Sequence, residues 1–198
     1  MVRSHNQVGS ALERQFAATS TMGLRIEMTG ADLLVDALER IPEQVHTVLD
    51  GLTPDQLTFR VDSEANTIAW LIWHLSRIED DHVADVAGRP QVWTSDGWAR
   101  RWRLPFEDAD TGYGHSSEQV AAVTGDAELL RGYFDSVHER AVRFVRTLTA
   151  RDLDRIVDEE WDPPVTLGVR LISVVGHNFE QLAQADFVRG VLDRKKGK

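Results

Sequence analysis

The chain contains no cysteine. That excludes a disulfide framework, a thiolate metal site and a cysteine nucleophile, and it fits a reducing cytoplasm. Long apolar runs are missing too. No stretch approaches the ~20 residues needed to span a bilayer, so no membrane partner is expected. The N-terminal residues lack an apolar h-region, which argues against a signal peptide. Basic residues are few beside acidic ones, 22 against 32, for a formal net charge of -10. A chain so charged gains little from a polyanion, so nucleic acid is not an expected partner. The one basic cluster, Arg194, Lys195, Lys196 and Lys198, reads as a solvated tail. G-x-G-x-x-G, the P-loop and H-E-x-x-H are all absent from the sequence, so it carries no signature of nucleotide binding or of a two-histidine zinc helix.

What is present is an ordinary globular composition. Hydrophobic residues make up 42% and charged residues 27% of 198, enough for one domain with a sizeable core. Residues 1–28, rich in Ser, Thr, Gln, Asn and Ala, read as a poorly ordered extension, and residues 29–194 as the folded unit. Leu34, Leu38, Ile41, Val45 and Val48 recur at helical spacing and predict a first helix over about 31–50. Pro42 lies inside it and should kink or split it. Ile68, Leu71, Ile72 and Leu75 predict a second helix over about 67–86, with Asn66 as its cap and Gly88 and Pro90 as its stop. Leu130, Phe134, Val137, Ala141, Val145 and Leu148 predict a third over about 127–149. Leu171, Val174, Val175, Leu182, Ala185 and Val188 predict a fourth over about 165–192. Four long helices without a convincing strand give an all-α four-helix bundle.

Between the second and third helices runs a long connection, 88–126, with Trp93, Trp98, Trp102, Phe106 and Tyr113. Two readings stay open for it: structural cover packed on the bundle, or a lid over a pocket. An internal repeat is also visible. Leu52-Thr53 to Asp62 follows the first helix and Leu148-Thr149 to Asp158 follows the third, sharing the frame L-T-x-x-x-L-x-x-x-V-D. The bundle therefore reads as two copies of a helix–connector–helix unit. The second and fourth helices become equivalents, and each carries a histidine: His74 and His177.

His74 borders the apolar stripe of its helix. It can ligate a metal or move protons near neutral pH, or it can be a hydrogen-bonded core histidine. His177, Gln181 and Gln184 stand at i, i+4 and i+7 on the fourth helix. Polar groups there need partners, since each unmet buried group costs about 1–3 kcal/mol. A polar cavity in the bundle meets that need, as does a helix edge facing solvent or a second subunit. Glu79, Asp80 and Asp81 read as a solvated helix face. His82 and His138 read as surface or helix-packing residues, and His115 reaches a pocket only if the long connection folds over.

The stretch Thr67–Asp80 (TIAWLIWHLSRIED), Gly88–Trp93 (GRPQVW), Trp161–Leu171 (WDPPVTLGVRL) and Val188–Gly190 (VRG) resemble DinB-like (YfiT-like) metalloenzymes. They are most similar to the actinobacterial branch grouped with mycothiol-dependent enzymes. The resemblance spans about 31–192. It implies a four-helix bundle, a homodimer, and a divalent metal (Zn, Ni or Fe) held by three side chains. Those match His74, His177 and Gln181, with Gln184 beside the site as a cofactor-binding residue. The family normally has histidine where this chain has Gln181, and a neutral amide oxygen is the weaker ligand for these metals. The implied chemistry is a thiol (mycothiol-type) transferase or isomerase acting on a small-molecule substrate. The competing reading is a non-catalytic bundle that has lost its metal site and binds a small molecule or a partner.

Overall fold

The computed structural model describes residues 27–196. Most of the expected N-terminal extension therefore lies outside the described residues. The first helix is split. α1 (Gly30–Glu39) ends at Arg40 and α2 (Ile41–Leu49) begins immediately after it. Pro42 sits in the first turn of α2, the one place where its missing N–H costs nothing. Thr29 starts α1 with a reciprocal capping box to Asp32.

The repeat has a structural counterpart. α3 (Pro54–Leu57) and α9 (Ala150–Leu153) are single turns at matching places, each opened by the threonine of the shared frame. Thr53 pairs reciprocally with Gln56, and Thr149 with Asp152. Each turn leads toward a long helix: α4 (Ile68–Ala87) and α10 (Leu167–Lys196). α4 is capped by Thr67 rather than Asn66. The Thr67 hydroxyl accepts from Trp70 N at 3.0 Å, and Gly88 at φ 61 ends the helix. α8 (Ala127–Val145) starts at Asp126, whose carboxylate accepts from Leu129 N.

One further element has no signature in the sequence. β1 (Ile156–Asp158) and β2 (Val165–Thr166) form a short antiparallel pair just before α10. Strands of two and three residues leave no measurable alternation, so hydrophobic periodicity could not reveal them.

α4 is the central helix of the bundle, with its most extensive interfaces toward α10 and α8. Ile68 through Arg77 are all buried. The sequence suggested an amphipathic helix with one apolar stripe. The connection 88–126 changes that by covering the face that would otherwise be wet. It carries α5 (Val92–Ser95), α6 (Trp98–Trp102) and α7 (Ser117–Ala122). Trp93, Trp98 and Trp102 are buried around Tyr133 of α8, with ring centroids 5.1–6.0 Å from it. This part of the connection is structural cover.

The burial corrects the expectation of a solvated acidic face. Glu79 is fully buried and Asp80 nearly so. Asp80 accepts from Val92 N (2.8 Å), Trp93 N (2.7 Å) and the Tyr133 hydroxyl (3.0 Å). It thereby pins the start of α5 to α4. Burial raises the Asp80 pKa, while those hydrogen bonds and the nearby Arg77 oppose the rise. The Glu-Asp-Asp run looked solvated because its partners come from the connection and from the neighbouring helices, which spacing along α4 cannot reveal.

Candidate functional site

α4 and α10 bring His74 and His177 together. Their ring centroids are 4.9 Å apart and the rings are nearly perpendicular, at 79°. His74 Nδ1 lies 2.6 Å from the carbonyl oxygen of Thr111, which can only accept. The ring proton is therefore on Nδ1, and the Nε2 lone pair is free to act as a ligand. Burial lowers the His74 pKa to about 4. His177 and His115 add to the fall, and the Thr111 hydrogen bond and Asp110 oppose it. Burial also lowers His177, with His82 contributing. Both imidazoles are neutral at neutral pH, the form that coordinates metal.

The backbone that reaches His74 is set by a second group of contacts. Arg77, fully buried one turn on, donates Nε–H to the Asp110 carbonyl (3.1 Å) and Nη2–H to the Asp108 carbonyl (3.3 Å). Gly112 adopts φ 92, and a side chain there would lie 2.9 Å from His74 Nδ1. Glycine lets this strand of backbone press against the ring. His115 does fold over. Its Nδ1 accepts from Trp70 Nε1 at 3.1 Å, so its own N–H faces Asp110 at 3.0 Å. Trp70 stacks on His74 at 4.4 Å.

On α10, His177 Nε2 and Gln181 Oε1 are both buried and have no hydrogen-bond partner among the described residues. Side chains four apart share a helix face. A buried carbonyl oxygen and a buried imidazole nitrogen in adjacent turns, both unpartnered among the described residues and beside the His74 Nε2 lone pair, are donor atoms of the kind that divalent cations take. Among the described residues no three His, Cys, Asp or Glu side chains gather closely enough to hold a metal.

Gln184 is not brought to this site. Seven residues after His177 place it about 10 Å further along the helix axis. It is exposed, donates weakly to the Glu180 carbonyl (3.4 Å), and borders a separate surface hollow with Phe187.

A cleft of about 700 Å³ opens onto His74 and His177. Its further wall carries His82 and Arg170, neither of which the sequence marked as a site residue. His138, read as a surface or packing residue, is buried with Nδ1 3.3 Å from Glu79 Oε1. The other Glu79 oxygen accepts from Asn178 Nδ2 at 2.5 Å. Asn178 follows His177 directly, so this buried link fastens α10 to α4 behind the imidazole pair.

No curated protein matches the chain. Among solved structures, a conserved protein from Enterococcus faecalis is 24% identical. It covers 82% of this chain and 96% of its own, with a TM-score of 0.77. YfiT from Bacillus subtilis is 17% identical, covers 89% and 96%, and has a TM-score of 0.57. YfiT is described as a probable metal-dependent hydrolase with an unusual four-helix bundle topology. At these identities the likeness is one of fold. The DinB superfamily matches residues 37–185, from the last turn of α1 into the middle of α10 and across both connectors of the repeat, and this chain is a member of that superfamily.

Proposed function

We propose that this protein is a metal-dependent enzyme of DinB fold that holds a divalent ion through His74, His177 and Gln181. The observation that carries the reading is the pair of buried atoms His177 Nε2 and Gln181 Oε1, unpartnered among the described residues, on the helix that brings His177 to the oriented His74 ring. A divalent ion bound there supplies Lewis acidity, which lowers the pKa of a thiol or a water molecule. The chain's own residues do the rest. Thr111 fixes the His74 tautomer, and Trp70 and Gly112 hold the ring in place. The buried setting keeps both imidazoles unprotonated.

The substrate reading is a thiol (mycothiol-type) transfer or isomerisation, performed by a homodimer. Family resemblance supports both the thiol and the dimer. YfiT's description as a probable metal-dependent hydrolase makes water the competing nucleophile. One residue favours a second reading. With an amide where the family resemblance implies an imidazole, Gln181 is consistent with a non-catalytic bundle that binds a small molecule or partner without metal.

Elemental analysis of the purified, untagged protein separates the two. About one Zn, Ni or Fe per chain, lost in His74→Ala, supports the enzyme. An absence of metal even after loading leaves the binding protein.

A further inference from the structure

The cleft has a second polar end that the metal-holding set does not use. His82 sits two turns after His74 on α4, about 12 Å along the axis. Arg170 sits nearly two turns before His177 on α10. The antiparallel packing of the two helices brings them face to face. Arg170 Nη1 donates to His82 Nδ1 at 3.0 Å, and Nη2 donates to Asp158 Oδ2 of β1 at 2.8 Å. All three residues line the same cleft as His74 and His177.

Those two bonds occupy only part of a guanidinium with five N–H donors, and the Arg170 side chain is still 19% exposed. Because His82 Nδ1 accepts, its neutral ring carries the proton on Nε2. Burial and then Arg170 lower the His82 pKa, against the opposing charges of Asp81 and Asp85. This end of the cleft thus offers mainly donors, and Asp158, the one carboxylate among the described lining residues, is already engaged by Arg170. Between it and the imidazole pair the wall is apolar, with Ile78 and Val174. At the mouth Tyr113 and Trp161 are 91% and 67% exposed. Large exposed aromatics at the rim of a cleft of this volume mark a place for an apolar body.

We infer that the cleft takes a small organic acid, with its carboxylate on Arg170 and His82 and its apolar or aromatic body against Ile78, Val174 and Trp161. The reactive end then lies toward His74 and His177. This rests on the reading of the cleft as the substrate site, and it makes Arg170 the specificity-determining residue.

The test is calorimetric titration of metal-free protein with 4-phenylbutyrate and with its neutral amide, 4-phenylbutyramide. Charge-assisted recognition predicts that the acid binds at least ~10-fold more tightly. Arg170→Met should erase the difference. Because that variant also releases Asp158, the unmutated protein supplies an independent readout: the acid, and not the amide, should shift the ring nitrogen signals of His82. Equal affinities, no saturable binding of the acid, an unmoved His82, or a preference that survives Arg170→Met overturns the inference. The use of metal-free protein keeps the two readings apart. A preference for acid in a chain that never takes up metal sinks the metal centre and leaves the anion end standing. Metal uptake without a preference for acid does the reverse.

Discussion

Asn178 donates its side-chain N–H to Glu79 across 2.5 Å, in the buried seam between α4 and α10 and one residue past His177. The other oxygen of Glu79 lies 3.3 Å from His138 Nδ1 of α8 without making a hydrogen bond, so the hydrogen-bonded tie runs between α4 and α10. Glu79→Ala leaves Asn178 Nδ2 buried without its acceptor. A loss of about 1–3 kcal/mol in urea unfolding is expected, the range for a buried polar group left without its partner. Glu79→Gln keeps an acceptor for Asn178 and should lose clearly less. Equal losses in the two variants would mean that packing volume, and not the polar link, is what Glu79 supplies.

Arg77 makes the matching link on the other side of α4. It donates to the carbonyls of Asp108 and Asp110, to Gln91 Oε1 at 2.9 Å and to the Tyr133 hydroxyl at 3.3 Å. Arg77→Met deprives two carbonyls of a donor and Asp80 of its nearby positive charge. A destabilisation of about 3 kcal/mol is expected. Faster amide hydrogen exchange should appear in residues 108–115, the segment that carries Thr111. Unchanged exchange there would show that the segment is held by other means.

These two links mark the limit of what the sequence displayed. The four long helices were legible because apolar residues repeat at helical spacing. The paired connectors were legible because Thr53 and Thr149 begin matching frames that fold as matching turns. Equivalence of α4 and α10 under that repeat pointed to His74 and His177 as a pair. Glu79 and Asp80 read as solvated because a charged run on a helix looks the same whether its partners are water or residues far away in the sequence. Thr111 and Gly112 were missed for a related reason: their roles exist only once a long connection folds back over 37 residues onto His74. Gln184 shares the helical phase of His177 but lines a different hollow, because phase says nothing about distance along the axis.

Gly112 is the most sensitive point in that fold-back. Its φ of 92 disfavours any side chain, and a Cβ would stand 2.9 Å from both His74 Nδ1 and the Trp73 ring. Gly112→Ala should cost about 1–3 kcal/mol of stability. It should also weaken the Thr111–His74 hydrogen bond, freeing the other ring tautomer. NMR of the His74 ring nitrogens would read that change directly. A retained Nδ1–H signal in a stable variant would show that the backbone can retreat without releasing the ring.

Metal-free protein should lose stability as pH falls through the histidine range. Unfolded, His74 takes up its proton near its ordinary 6.5; folded, burial delays that to about 4. The folded state thus binds fewer protons in this window, and stability that is complete above 6.5 drains away between there and 4. His74 alone accounts for about 2 kcal/mol between about pH 7.5 and about pH 5. His177 shifts in the same direction and steepens the loss. Urea unfolding at the two pH values, with His74→Phe as the reference, isolates the effect. An equal slope in the variant would place the proton uptake elsewhere.

Gln181 tests the whole arrangement on α10. If its buried Oε1 stands where a third ligand belongs, Gln181→His replaces a weak neutral oxygen with an imidazole one turn from His177. Zinc affinity, measured by competition with a chelator at neutral pH, should then rise at least ~10-fold. The gain should vanish in the double variant with His74→Ala, because the added imidazole is useful only if it shares an ion with the histidine on α4. A gain that persists without His74 would mean that α10 binds metal by itself through His177 and the new histidine. No gain at all would mean that the turn carrying Gln181 does not face the imidazole pair, and the three-ligand reading would fall with it.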